Sequence, residues 1–342
     1  KVRYDPLGLV LSIMPWNFPM WQFFRFAAPS LVAGNGILLK HAPTTMGSAE
    51  ECVNICEAAG LPVGLVNTLR IDVPDVEAVV ADRRIRAVTF TGSTQGGKAV
   101  GALAGKHVKK SVLELGGSDG YVILDDADLE AAAKVCVYQR CNNAGQSCIA
   151  AKRYIVHSSV SERFKELVLK ELGQYVVGDP MDELTTMGPM ARKDLKDTLL
   201  DQVQRAVGEG ATLHEPLGSI NVEGTGYFVR PGLLTNVRPG SVADQEELFG
   251  AIAALIEFES GEEAVAIANG NEYGLGAAVF SRDISKAHVI AQSLEAGSVF
   301  VNDFVRSDSR LPFGGTKNSG YGRELGTPGL HEFVNIKTVV EP

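Results

Sequence analysis

The sequence predicts an α/β protein of two parts, with parallel strands and helices packed on them. Two observations carry the prediction. Across the first 125 residues, short apolar runs alternate with helical patterns, which implies a parallel sheet covered on both faces. From Asp126 the alternation restarts with a long helix, so a second unit begins near Gly116 and Gly117. A chain of 342 residues, 45% hydrophobic, is long enough for two cores.

In chain order, residues 10–14 read as a strand, 25–33 as a helix and 37–40 as a strand. The helix at 48–59 stops at Gly60 and Pro62. Residues 65–68 are a short strand, 73–81 a helix, 87–91 a strand, 97–104 a helix and 111–115 a strand. In the second part, 129–142 is a helix, 153–156 a strand and 160–172 a helix. Residues 208–245, rich in Gly and Pro, read as irregular or β structure. A strand-helix-strand run covers 253–280, then a helix at 284–294 and a strand at 298–302.

Composition excludes several functions. A net charge of -9, with 21% charged residues and no long charge blocks, argues against a nucleic-acid partner. No apolar run reaches the ~18 residues of a membrane helix, and GLVLSIMPWNFPMW is broken by two prolines. No signal peptide is expected, and five cysteines, an odd number, suit a reducing cytoplasm. Cys52 and Cys56 lie four apart on a helical pattern, but no histidine or second pair completes a metal site, so they read as core. Cys136 and Cys141 read the same way, and no metal is expected. The chain opens on Lys1, not Met, and is expected to be a fragment or processed product.

Four stretches carry chemistry, three of them with a plain structural alternative. CNNAGQSCIAAKR, Cys141 to Arg153, places Gly145 and Gln146 before Cys148 and small residues after it. A thiol at pH 7 is only a few per cent thiolate, so a reactive one needs a helix N-terminus or a cationic neighbour. No partner histidine lies nearby, which disfavours a Cys–His hydrolase. GSTQGGK, Gly92 to Lys98, follows a strand and opens a helix, as a pyrophosphate cradle does. It is not a nucleotide-hydrolysing P-loop, because Ala99 stands where magnesium needs a hydroxyl. Alternatively it is a glycine-rich turn. LELGG puts Glu114 at the end of an apolar strand, as a general base or a salt-bridged structural group. PWNFP puts Asn17 at the carboxyl end of a strand, as an oxyanion donor or a turn asparagine.

PWNFP, LLKHAP, FTGST, LELGG, NAGQSC, ELFG and PFGG together resemble the aldehyde dehydrogenase superfamily, in its order and at similar spacings. The resemblance implies a Rossmann-like cofactor domain over residues 1–116, a catalytic domain over 117–316, and a return with an oligomerisation strand over 317–342. The family's leading segment, with the first part of an oligomerisation hairpin, is expected before Lys1. Cys148 is implied as the nucleophile, Glu114 as the base that hydrolyses the thioester, and Asn17 with the Cys148 N–H as the oxyanion hole. The carboxylate at 114 favours hydrolysis over acyl transfer to coenzyme A. The cofactor is implied to be NAD or NADP, held by Lys40, Gly92, Ser93, Gly97, Glu247 and Phe249, with Trp16 lining the cleft. Pro43 replaces a glutamate frequent in NAD-selective members, so NADP is admitted; Ala251 replaces a proline with no evident consequence.

LLKHAPTTMG, ELGGSDG and GRELGTPGLHEF are most similar to succinate-semialdehyde dehydrogenases. That likeness implies Arg25 as a receptor for the substrate carboxylate, with pairing inside its own helix as the alternative. A second substrate arginine of some members is replaced by Asn142, and Ser307 and Ser309 in RSDSR are further candidates. Ala150 removes the paired-cysteine redox switch of some relatives. The function this likeness implies is NAD(P)-dependent oxidation of an aldehyde to a carboxylic acid through a cysteine thiohemiacetal and thioester, with succinate semialdehyde going to succinate, by a homodimer or homotetramer. A broad-specificity aldehyde dehydrogenase and an inactive structural or binding member of the same fold are the alternatives.

Overall fold

The computed structural model describes residues 1–216 and 226–342. Residues 217–225, part of the stretch expected as irregular or β, lie outside the described residues. The chain divides into two units, Lys1–Gly116 with Ser307–Pro342, and Gly117–Arg306. The sequence pattern puts the return to the first unit at residue 317; the chain re-enters it at Ser307, whose Oγ accepts a hydrogen bond from Trp21 Nε1 at 2.8 Å.

The first unit holds a six-stranded sheet in the order Gly320–Tyr321, Lys110–Glu114, Ile85–Thr91, Leu9–Met14, Gly36–His41, Val66–Thr68. Neighbours are parallel except Gly320–Tyr321, which is antiparallel to Lys110–Glu114. Val10 to Met14 are buried throughout, as a parallel strand covered on both faces must be. One face packs Phe23, Phe26, Cys52 and Cys56, from helices Pro19–Val32 and Met46–Ala58, against Val10, Ile37 and Leu39. The other packs Val80 and Val100, from helices Val76–Ala81 and Thr94–Lys106, against Leu11, Ile13 and Val88. A separate antiparallel pair joins Val2–Pro6 to Val334–Thr338.

The second unit holds a seven-stranded sheet in the order Ser298–Val301, Gly276–Phe280, Asp119–Ile123, Ala151–His157, Ile252–Phe258, Gly232–Thr235, Thr212–His214. Only the last strand is antiparallel to its neighbour. Helices Leu129–Cys141 and Ser158–Leu172 cover one face through Cys136, Val137, Phe164 and Val168. Helices Lys193–Gly208, Gly261–Asn269 and Ile284–Ser293 cover the other through Leu199, Val203, Ile267 and Ile290.

The α/β expectation is met in both units, and among the elements that differ from the reading three bear most on the fold. The first helix starts at Pro19, not at residue 25, because a proline at the first helical position lacks only an N–H that would be unpaired there anyway. The helix Lys193–Gly208 was not read from the sequence, although Leu199, Gln202, Val203 and Ala206 bury one face at helical spacing. The buried strand Asp119–Ile123 was also not read, since DGYVI opens on two poor strand formers.

Candidate active site

In the first unit, four of the singled-out residues stand at or just past the carboxyl ends of four adjacent strands. Glu114 ends Lys110–Glu114, Ser93 follows Ile85–Thr91, Asn17 follows Leu9–Met14, and Lys40 is next to last in Gly36–His41. Parallel sheets bind ligands at this edge.

Glu114 is 2% exposed, and neither carboxylate oxygen has a hydrogen-bond partner among the described residues. Burial pushes its pKa well above the usual carboxylate range; Glu324 pushes the same way, while Arg25 and Arg323 oppose the shift. Glu324 is also buried and raised by burial, restrained by its ion pair with Arg25 Nε. The Arg25 guanidinium is 3% exposed and lies 4.2 Å from the centroid of the Phe313 ring. The residue expected as a receptor for the substrate carboxylate is thus found in a buried ion pair. Its charge is committed to a buried partner that the sequence places 299 residues away.

Asn17 is oriented by Gln22, whose Nε2 donates to Asn17 Oδ1 at 3.1 Å. With the amide oxygen turned to Gln22, its NH2 side faces away. Ser93 caps the helix Thr94–Lys106 by accepting from Gly96 N at 3.2 Å, which defines the helix N-terminus that follows Gly92. Gly97 is a packing glycine, since a Cβ there would meet Leu115 Cδ2 at 2.2 Å. Lys40 is 6% exposed, and burial lowers its pKa against the opposing pull of Asp72. Trp16 is half-buried, as is Ser307, whereas Ser309 is exposed.

In the second unit, Cys148 is half-buried on the turn between helix Leu129–Cys141 and strand Ala151–His157. The other four cysteines are buried. Burial pushes the Cys141 thiol up to about 12 and the Cys52 thiol up to about 11, and raises Cys56 and Cys136 as well. Such thiols are inert at neutral pH. The turn before Cys148 is strained: Asn143, Ala144 and Gly145 have φ of 53°, 53° and 76°. For Ala144 the left-handed region costs about 1–2 kcal/mol.

Side chains hold this turn. The carbonyls of Gly145, Gln146, Ser147, Cys148 and Ile149 accept, in order, from Arg140, Asn143, Lys152, Lys152 and Gln139. Glu247 is half-buried, and its Oε1 accepts from Gly117 N at 3.1 Å; Phe249 beside it is also half-buried. Asn142 is exposed. Sequence reasoning did not single out Gln22, Glu324 or Lys152; Glu324 and Lys152 pair with Arg25 and Glu247, which only the fold brings close.

The aldehyde dehydrogenase family profile matches residues 1–339. The succinate semialdehyde dehydrogenase [NAD(P)+] of Escherichia coli K12 is 47% identical over 338 residues, 99% of this chain and 73% of the relative. A probable succinate-semialdehyde dehydrogenase [NADP(+)] of Synechocystis is 44% identical over 99% of this chain and 74% of the relative. Among solved structures, the succinic semialdehyde dehydrogenase of Streptococcus pyogenes in complex with NADP+ superposes with a TM-score of 0.95 at 38% identity, covering all of this chain and 74% of that one. The chain belongs to the aldehyde dehydrogenase family, as its motifs led us to expect.

Proposed function

We propose that the protein oxidises an aldehyde to a carboxylic acid with NAD or NADP, and that its aldehyde is succinate semialdehyde. The observation that carries the reading is Glu114, a buried carboxylate at the ligand-binding edge of a parallel sheet with neither oxygen bonded among the described residues. A structural glutamate would have its oxygens satisfied.

The residues present fit a dinucleotide. A capped helix N-terminus at Ser93 suits a pyrophosphate, Lys40 is a buried cation at the strand edge, and Glu247 offers a carboxylate to ribose hydroxyls. When bound, the cofactor supplies a hydride acceptor. The Cys148 thiolate forms a carbon–sulfur bond to the aldehyde carbon, and the Asn17 NH2 with the Cys148 N–H stabilises the resulting oxyanion. After oxidation the acyl group is held as a thioester on Cys148. Glu114 takes a proton from water, the hydroxyl adds to the acyl carbon, and the thiolate leaves with release of the acid. At position 43 a proline opens the short helix Pro43–Thr45, so no carboxylate repels a 2′-phosphate there. This supports use of NADP beside NAD.

The substrate assignment rests on the relatives named above. The buried ion pair of Arg25 favours a second reading, a broader aldehyde oxidation, because it removes one cation from recognition of an anionic substrate. Ser307 and Ser309 remain our candidates for that recognition. Comparing turnover of succinate semialdehyde with that of an uncharged aldehyde of equal length, with NAD and with NADP, tests the proposal. A strong preference for the anion is expected; equal turnover selects the broader reading, and no reduced cofactor with any aldehyde rejects both.

We also propose a dimer or tetramer in the cytoplasm. Val2, Tyr4, Ile336 and Val340 leave an exposed apolar surface on and beside the pair Val2–Pro6 and Val334–Thr338. Among the described residues, no helix is long and apolar enough to cross a membrane. A monomer in sedimentation, or membrane-bound material on fractionation, would overturn these assignments.

A further inference from the structure

Lys152 is 1% exposed and opens a strand, an unusual place for an ammonium. A bulge puts it there. Asp119 pairs with Ala151 and Gly120 with Arg153, so Lys152 is the extra residue between them. Bulges re-aim a side chain, and they recur beside active sites. Here the bulge sends two successive cations to different partners. Arg153 turns to Asp244 and to the carbonyls of Ser118, Ile267 and Ala268. Lys152 turns to the cysteine turn and to Glu247.

An ammonium has three donors. Lys152 Nζ lies 2.9 Å from Ser147 O, 2.7 Å from Cys148 O and 3.1 Å from Glu247 Oε1. The same carboxylate oxygen accepts from Gly117 N at 3.1 Å. Gly117 in turn packs on the Cys148 carbonyl so closely that a Cβ would lie 2.7 Å from it. Cys148, Lys152, Glu247 and Gly117 thus form one closed knot inside the second unit. Burying an ammonium requires both a counter-charge and satisfied donors, and this knot supplies both.

We propose that Lys152 is a positioning residue that transmits cofactor binding to the nucleophile, by sharing one ammonium between the Cys148 turn and the Glu247 carboxylate. The inference rests on the roles given above to Cys148 and Glu247. Ribose hydroxyls that donate to Glu247 compete with Lys152 for that carboxylate. The ammonium then leans further on the Ser147 and Cys148 carbonyls, and the turn carrying the thiol responds. Linkage makes the effect reciprocal: whatever alters the turn alters cofactor affinity.

The test reads the thiol directly. Iodoacetamide alkylation of Cys148, located by peptide mass, is timed with and without saturating NADP in the wild type, Lys152→Met, Glu247→Gln and the double variant. Cofactor affinity and melting temperature are measured on each. In the wild type, cofactor is expected to change the alkylation rate by about fivefold or more, the lower end of ordinary site–site coupling. Each single substitution shrinks that change, and the double variant shrinks it no further than either alone. Any direct influence of cofactor on the thiol is common to all four proteins and cancels in the cycle.

Additive effects, or a cofactor effect unchanged in Lys152→Met, would overturn the proposal. If Lys152→Met fails to fold, Glu247→Gln, at a half-buried position, carries the same comparison against the wild type. Failure of the underlying reading looks different: the label falls on another cysteine, or Cys148→Ser still oxidises aldehydes.

Discussion

The two groups to which we assign the chemistry, Glu114 and Cys148, are held in opposite ways. In the first unit, Glu114 is buried with neither oxygen bonded among the described residues, and the titratable groups that act on it most are Glu324 and its partner Arg25. In the second, five successive carbonyls around Cys148 are each gripped by a side chain, and the backbone before it is forced into left-handed conformations. The difference follows the work each does in the proposed reaction. A nucleophile needs a fixed position, because a small displacement of reacting atoms costs rate steeply. A base that takes a proton near neutral pH needs a carboxylate that is not stabilised as an anion. Fixing the one and leaving the other unsatisfied are two forms of preorganisation.

The largest effect that breaks this comparison is at the sulfur. Cys148→Ser should lower aldehyde oxidation on the order of 10⁶-fold, as loss of an enzymatic nucleophile does elsewhere. Cofactor affinity, followed by titration, should stay within a small factor. Glu114→Gln should cost about 10²–10⁴-fold in steady turnover. It should spare the first turnover: a burst of reduced cofactor equal to the enzyme, then a stall with the acyl group retained on Cys148. A Glu114→Gln protein that also lost its burst would place Glu114 before the thioester, not after it.

Much of the first unit is legible in the sequence, because its strands are short apolar runs and the helix Met46–Ala58 stops at Gly60 and Pro62. Glu114, Asn17 and Ser93 could be singled out there because each stands just where a strand pattern stops. Arg25 shows where such reading runs out. Its sequence neighbours are helical, and its partner Glu324 lies in a segment that returns to the same sheet only after the whole second unit. Lys152 is hidden for another reason. A lysine at the head of a strand reads as a solvated edge, and only the bulge against Asp119 and Gly120 turns it inward. In the Lys193–Gly208 helix the buried residues Leu199, Gln202, Val203 and Ala206 keep helical spacing, but one of the four is polar and most of the other positions are charged or polar, which weakens the apolar signal.

The arginine pair sharpens the comparison next. Arg25→Met leaves Glu324 as a buried, unpaired carboxylate, and loss of one partner of a buried pair costs about 3–5 kcal/mol. Urea unfolding should show that loss. The effect on rate should be the same for charged and uncharged aldehydes; a loss confined to the anionic substrate would restore Arg25 as its receptor. Glu324→Gln separates position from charge. Glu324 raises the Glu114 pKa and Arg25 lowers it, so the substitution moves Glu114 down and Arg25→Met moves it up. The alkaline-rising limb of thioester hydrolysis should shift toward acid in the first variant and toward base in the second. Shifts in the same direction would show that Glu114 is not the titrating group.

The smallest effect concerns a carboxylate that neither role uses. Asp119 is buried behind the cysteine turn, and burial pushes its pKa up from 3.8 to about 7, with Lys152 pulling the other way. Its Oδ1 accepts from Gly276 N at 3.1 Å, while Oδ2 has no partner among the described residues. The folded state therefore binds a proton that the unfolded chain releases, so the contribution of Asp119 to stability is fullest below about pH 4 and falls as pH rises toward the folded pKa. The slope is at most about 1.4 kcal/mol per pH unit from this one group. Asp119→Asn abolishes that slope while keeping the Oδ1 acceptor, so its stability relative to the wild type should climb between about pH 4 and about pH 7 and then level off. Because the asparagine changes packing by the same amount at every pH, the slope and not the offset is the informative quantity. A flat difference across that range would mean that Lys152 and Arg153 already keep Asp119 ionised, and that the second unit holds its charges as firmly as it holds its backbone.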